Sequence, residues 1–261
     1  MDHAGIIPET LAVPGSNAPN IALTGEQIAA LPEVRYDAVV PGLIGYAAGS
    51  APPEMAMAYT LRADTPIYGV GRSIPVARFT AVNFLGEKTI VVPVSFVDGW
   101  ALVLTPARQS LPSAAHGVAP AQTAGWIRTE ALAIDHLVRD RIVVSVKDQS
   151  LSIVDYFGTE IARYSIGVGT PSTPTPTGVT GYIQARYLDP AQGQDIYPIN
   201  LTSLHSTAAD EPYDGSDGGL IGAHYFAASS GAISHGCLRL PEDAVVAVNR
   251  LPIGTPITIA P

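Results

Sequence analysis

The sequence predicts a mainly β protein, on three observations. Glycine (25 residues) and proline (23 residues) are abundant, apolar and polar residues alternate over short runs, and no long stretch keeps a helical period. The chain has 261 residues, 47% of them hydrophobic and 14% charged. That length suits two modest domains or one large β-rich one, with apolar residues enough for a sizeable core. The formal charge is -9, from 23 acidic and 14 basic residues. With only two lysines, Lys88 and Lys147, and no basic cluster, nucleic acid is excluded as a partner. No run approaches the ~20 apolar residues of a bilayer span. Residues 1–20 carry no positive start and no apolar core of signal length, so no signal peptide is visible. The single cysteine excludes an internal disulfide and fits a chain that keeps one thiol for chemistry.

Residues 1–59 form an irregular lead segment. Within it "TGEQIAALPEV" (24–34) predicts one short helix, with Thr24 and Gln27 at capping-box spacing and Pro32 as the stop. "GSAPPEM" (49–55) has the composition of a linker. Residues 60–134 form a β module, with strands expected in "TPIYGV", "TIVVPVSFV", "GWALVLTP" and "GWIRTEAL". Trp100 and Trp126 each follow a glycine at the start of such a run. This small β-barrel pattern resembles the bacterial SH3-like modules of cell-wall enzymes. An ordinary β-barrel with two core tryptophans fits the same residues.

Residues 135–261 form the third unit. "RIVVSVKDQSLSIVD" (141–155) alternates Ile142, Val144 and Val146, turns through 147–150, and resumes with Leu151 and Ile153, a hairpin with one buried face. A second turn, "DYFGTE", leads into "IARYSIGVG". The three prolines of "TPSTPTPTG" (170–178) cannot donate to a ladder and predict a loop or an edge. "PEDAVVAVNRL" predicts a helix with Pro241 in its first turn, and "TPITIA" a closing strand. The unit is expected to be a mostly antiparallel β-sandwich with a short helix after the cysteine.

The cysteine lies in "ISHGCLRLPED" (233–243). A free thiol, pKa ~8.5, is only a few per cent thiolate at neutral pH. To attack an acyl carbon it requires a base, an oxyanion donor and an exposed place on rigid backbone. Of the six histidines, His205, His224 and His235 are near Cys237 in sequence. His235 and Cys237, at i and i+2, would share a face on a strand. Gly236 permits a tight turn. The Cys237 amide, just before a helix start, is a candidate oxyanion donor. Arg239 offers a planar fork for a carboxylate. An inert core cysteine is the plain alternative. A zinc site from His224, His235 and Cys237 has no evident fourth ligand and lacks paired-cysteine spacing, so no metal and no cofactor are expected.

"SHGCLRL" (234–240) resembles the active-site signature of the L,D-transpeptidase catalytic domain family, Ser/Thr-His-Gly-Cys followed by Arg or Asn two residues on. "GLIGAHYF" (219–226) resembles the strand that carries the family's second histidine, and "GVGTPSTPTPTG" its Gly-x-x-x-x-x-Thr-Pro-x-Gly loop. The opening hairpins match as well. The resemblance implies an L,D-transpeptidase-type β-sandwich in which Cys237 is the acylated nucleophile and His224 its base. His235 and Ser234 would position the site, Gly236 and the Cys237 amide would form the oxyanion hole, and Arg239 would orient the stem peptide. His205 remains an alternative base or substrate contact. Tyr225 stands where the family has glycine, and only nine residues (225–233) separate His224 from Ser234. The resemblance therefore implies a short cleft wall, partly filled by Tyr225.

The function implied is a peptidoglycan L,D-transpeptidase, forming 3→3 cross-links through a thioester from a tetrapeptide donor stem and an amine acceptor. Susceptibility to carbapenem β-lactams and a place in the cell envelope, outside the cytoplasmic membrane, follow from the same resemblance. An L,D-carboxypeptidase, another cysteine amidohydrolase, and a silent cell-wall binding protein are the alternatives. The acids of 209–219, Asp210, Glu211, Asp214 and Asp217, would either attract an acceptor ammonium or form a solvated loop.

Overall fold

The alternation of 141–155 becomes an antiparallel hairpin, and the later runs extend it into one large sheet. The computed structural model describes residues 22–209, 217 and 219–261. In this second half the strands are β10 (Asp140–Ser145), β11 (Ser150–Asp155), β12 (Glu160–Ser165), β13 (Gly167–Gly169) and β14 (Val179–Asp189). They continue with β15 (Gln194–His205), β16 (Leu220–Tyr225), β17 (Gly231–Ser234), β18 (Leu238–Leu240) and β19 (Pro256–Ala260). Their order in the sheet is β12-β11-β10-β19-β14-β15-β16-β18-β13-β17. β14 joins its two halves, since Val179 to Tyr182 pair with β19 while the residues from Ile183 onward pair with β15. Ile142, Leu151, Ile257 and Ile259 from one half and Ile183, Leu204, Ile221 and Leu238 from the other share one core. This is a mainly β, sandwich-like arrangement. Parallel pairings of β10 with β19, β16 with β18, and β13 with β17 interrupt the expected antiparallel pattern.

The helix after the cysteine is α2 (Glu242–Val248), with Pro241 as its N-cap and Glu242 and Asp243 in the first turn, where carboxylates complement the helix dipole. Its Ala244, Val245 and Val248 are fully buried against the sheet.

The first half carries β1 (Ile44–Gly45), β2 (Met57–Leu61), β3 (Thr65–Tyr68), β4 (Pro75–Phe79) and β5 (Ile90–Val91). β6 (Pro93–Val97), β7 (Trp100–Thr105), β8 (Thr123–Arg128) and β9 (Leu132–Leu137) complete it. They form a six-stranded and a three-stranded sheet. The predicted helix is α1 (Gly25–Ala29), closed by the reciprocal bonds of Thr24 and Gln27. Val34, Val40 and Leu43 of the lead segment are buried in the same core as Ile67, Phe79 and Ile127. The expected linker is a correction: Met55 is 1% exposed and packs with Val92, Leu104 and Tyr182. Tyr182 comes from β14, so this small core fuses the two halves.

Candidate active site

β16 and β18 lie side by side in parallel, with Ala223 opposite Leu238, His224 opposite Arg239 and Tyr225 opposite Leu240. Ile221, Ala223, Leu238 and Leu240 point into the core. Strand alternation therefore sends Gly222 and His224, with Arg239, to the other face. Cys237 joins them, because a Cβ on Gly222 would lie 3.9 Å from its Sγ. The nucleophile candidate, the base candidate and the guanidinium thus stand on one side of the sheet.

The turn that presents the thiol is held from three directions. Gly236 has φ +108, a conformation open to glycine and strained for other residues. Ser234 is 2% exposed; its Oγ accepts from the Gly236 amide at 3.2 Å and donates to the Cys237 carbonyl at 2.6 Å. The proline-rich loop locks the other side. Thr173 Oγ1 donates to the Ser234 carbonyl at 3.1 Å, and Thr175 Oγ1 donates to the Gly236 carbonyl at 2.8 Å. Thr175 Oγ1 also accepts from the Gly169 amide at 2.9 Å. The loop reaches this position because Gly169 has no side chain: a Cβ there would fall 2.3 Å from the Thr173 carbonyl oxygen.

Within this frame the thiol donates to the Leu220 carbonyl at 3.6 Å and accepts from the Gly222 amide at 3.4 Å. Burial pushes its pKa up, against the opposing pull of the Gly222 N–H and the Arg239 charge. Burial also holds His224 below the usual imidazole range, with the Arg239 charge adding to the effect and a bond to Tyr225 opposing it. Both shifts disfavour a standing thiolate–imidazolium pair. They favour the neutral thiol and the neutral imidazole. His224 Nδ1 lies 3.1 Å from the Tyr225 carbonyl, which can only accept, so Nδ1 carries the proton and Nε2 keeps its lone pair. Arg239 stacks its guanidinium 4.1 Å over the Phe226 ring, while its buried Nε has no hydrogen-bond partner.

Other expected site residues lie elsewhere. Residues 235–236 form a bend between β17 and β18, and His235 is exposed, so the same-face relation expected of a strand does not apply. α2 begins after β18, not at Cys237; the helix-start reason for an oxyanion donor therefore fails, and only the amide's place beside the thiol remains. Tyr225 alternates to the face opposite His224, packing on the core and against Tyr197 at 5.1 Å between ring centroids, and so does not fill the thiol side. His205 is 2% exposed and its Nε2 donates to the Pro106 carbonyl at 2.8 Å. Burial, with the charge of Arg108, lowers its pKa to about 3, and the same burial withdraws it from contact with a substrate. Of the acidic group, Asp210, Glu211 and Asp214 lie outside the described residues. Asp217 is 1% exposed and bonded to Ser113, not solvated. Sequence reasoning missed Gly222, whose amide contacts the thiol, and the two loop threonines; the tight Gly-x-x-x-x-x-Thr spacing was their only signal.

Residues 139–259 match the model of the YkuD family, the L,D-transpeptidase catalytic domain. Among solved structures, a mutant of the Enterococcus faecium L,D-transpeptidase is 19% identical over 46% of this chain and 49% of that one, with TM-score 0.30. This chain thus spans about half the length of that relative. The catalytic domain of the E. faecium L,D-transpeptidase is 18% identical, covering 48% of this chain and 99% of that one, TM-score 0.33. L,D-transpeptidase 3 from Mycobacterium tuberculosis is 15% identical over 63% and 93% of the two chains, TM-score 0.36. No curated protein matches the sequence.

Proposed function

With residues 139–259 belonging to the L,D-transpeptidase catalytic domain family as the premise, we propose that Cys237 is the nucleophile of a peptidoglycan acyl transfer that forms 3→3 cross-links. The observation that carries this reading is the placement of Cys237, His224 and Arg239 on one face, with His224 Nδ1 at 3.1 Å from the Tyr225 carbonyl.

The donor is a tetrapeptide stem. Arg239, on the thiol's side of the sheet, pairs through its guanidinium with a stem carboxylate and sets the third-residue carbonyl over the thiol. The S–H proton passes to His224 Nε2 as sulfur bonds to the carbonyl carbon. The oxyanion is met by the Cys237 amide in the Gly236 turn. When the C–N bond breaks, His224 returns the proton to the departing amine of the terminal D-alanine and a thioester remains. An acceptor amine then adds to the thioester, gives its proton to His224, and expels the sulfur, which is reprotonated. Water in place of the amine would make the protein an L,D-carboxypeptidase. Ser234 acts by holding the turn, and His235 positions the site as its neighbour in that turn. The protein works in the cell envelope, outside the cytoplasmic membrane; among the described residues no helix is long and apolar enough to cross a membrane.

The same proposal divides the chain into a catalytic domain over 135–261 and an SH3-like module over 60–134. The lead segment 1–59 contributes Val34, Val40 and Leu43 to the module's core. Intact mass after incubation with a carbapenem tests the nucleophile: one adduct on the wild type and none on Cys237→Ala is expected, and a folded wild type without adduct would sink the reading. A tetrapeptide donor with and without an amine acceptor then separates transfer from hydrolysis by its products.

A further inference from the structure

β7 and β8 pair in register from Trp100–Arg128 to Thr105–Thr123, yet residues 106–122 are inserted between their ends. A connection of this length without its own secondary structure is uncommon between paired strands and is usually functional. Its start stays in the first half, with Ala107 in that core and the Arg108 backbone paired with Ala38 and Val40, while other groups of the connection reach the second half. Its first residue, Pro106, accepts from His205 Nε2, and Ala121 near its end accepts from the His205 amide at 2.8 Å. Arg108, 2% exposed, donates from Nη1 to the Ser206 carbonyl at 3.2 Å and from Nη2 to the Gly219 carbonyl at 3.3 Å. Ser113 donates to Asp217 from its amide at 2.6 Å and its Oγ at 2.7 Å.

These contacts fall on both stems of one segment. Ser206 follows β15, Gly219 precedes β16, and the Ser206 amide closes on the Gly219 carbonyl at 2.8 Å. The next residue, Leu220, supplies the carbonyl that the thiol touches, and Gly222 supplies the amide. A guanidinium or carboxylate this deeply buried is costly unless its hydrogen bonds are made. Arg108 and Asp217 therefore hold a definite arrangement of the two stems.

We propose that residues 106–122 clamp the entrance to β16, with Arg108 and Ser113 as positioning residues for the Cys237 thiol. The N-terminal half is then a working part of the acyl-transfer site. This rests on the acyl-enzyme reading of Cys237.

The test uses the full chain with Arg108→Lys, which keeps charge and loses the fork, and the milder Ser113→Ala. Carbapenem acylation is resolved into a first-order rate constant, a half-saturating concentration and a final adducted fraction by intact mass. Displacements of about an ångström cost up to ~100-fold in rate. The expected losses in the first-order constant are about tenfold for Arg108→Lys and a few-fold for Ser113→Ala, with full final adduct. Alkylation of Cys237 by iodoacetamide is expected to quicken as the thiol loosens. Unchanged acylation and alkylation in both variants overturn the clamp. A reduced adducted fraction at an unchanged rate constant overturns it too, since that marks a purely structural role. A wild type with no carbapenem adduct sinks the acyl-enzyme reading instead, and the alkylation rates then decide the clamp alone. Should Arg108→Lys fail to fold, Ser113→Ala carries the same measurements.

Discussion

Cys237 and His224 are both shifted by burial away from their charged forms, and this sets a pH dependence. The imidazole must be unprotonated to take the thiol's proton. With its pKa held below the ordinary value of 6.5, the acylation rate stays level through neutrality as pH falls. It declines only once the pH is below that value. A pH–rate profile for carbapenem acylation checks this, and an acid limb at or above pH 7 would exclude a neutral His224 as the base. At this scale the sequence was informative about chemistry and poor about orientation. The Ser-His-Gly-Cys run named the nucleophile candidate and the small residue beside it. It was silent on where Tyr225 and His205 point, because strand parity and the packing of a distant segment decide that. Residue by residue, alternation along β16 put His224 on the thiol's side of the sheet and Tyr225 on the core side.

Among the elements, the proline-rich loop over 170–178 has the clearest consequence. Its prolines excluded it from a ladder, as expected, but its threonines make it a brace: Thr173 and Thr175 hold the carbonyls of the nucleophile turn. The brace depends on the close approach at Gly169. Gly169→Ala is expected to cost about 1–3 kcal/mol, the range for overpacking a tight site. The acylation rate should fall by more than that destabilisation alone explains. Urea denaturation and carbapenem acylation measured together check it; a variant matching the wild type in both would show that the loop can give way without disturbing the turn. The helix after the cysteine, the opening hairpins and the capped α1 were all legible in local pattern, since caps and alternation act over a few residues. The insertion of β18 between Cys237 and α2 was not, because three residues carry too little pattern to separate a short strand from a helix start.

For the molecule as a whole, the two halves share buried material. Met55, Val92 and Leu104 pack around Tyr182 of β14, and Arg108 and Ser113 bond across the same seam. Both tryptophans are in the first half, and the only thiol is in the second. Urea unfolding followed by tryptophan fluorescence and by protection of Cys237 from alkylation is therefore expected to give coincident transitions. Separate midpoints would show two independently stable units and remove the basis for treating the seam as part of the site. Met55→Ala, which empties the centre of the shared cluster, should cost about 2–5 kcal/mol and lower both probes' midpoints together.

Composition, alternation and the 234–240 motif by themselves determined the β class, the short helix after the cysteine, the resemblance of residues 135–261 to the L,D-transpeptidase catalytic domain, and Cys237, His224 and Arg239 as the residues to examine. These features are local: period, turn chemistry and a contiguous signature survive in one dimension. Only the tertiary structure decided that His224 and Cys237 emerge on one face, that His205 and Tyr225 are withdrawn from it, and that a segment of the N-terminal half braces the entrance to β16. Those outcomes depend on strand register and on which distant groups satisfy a buried charge, and neither quantity is written in the spacing of neighbouring residues.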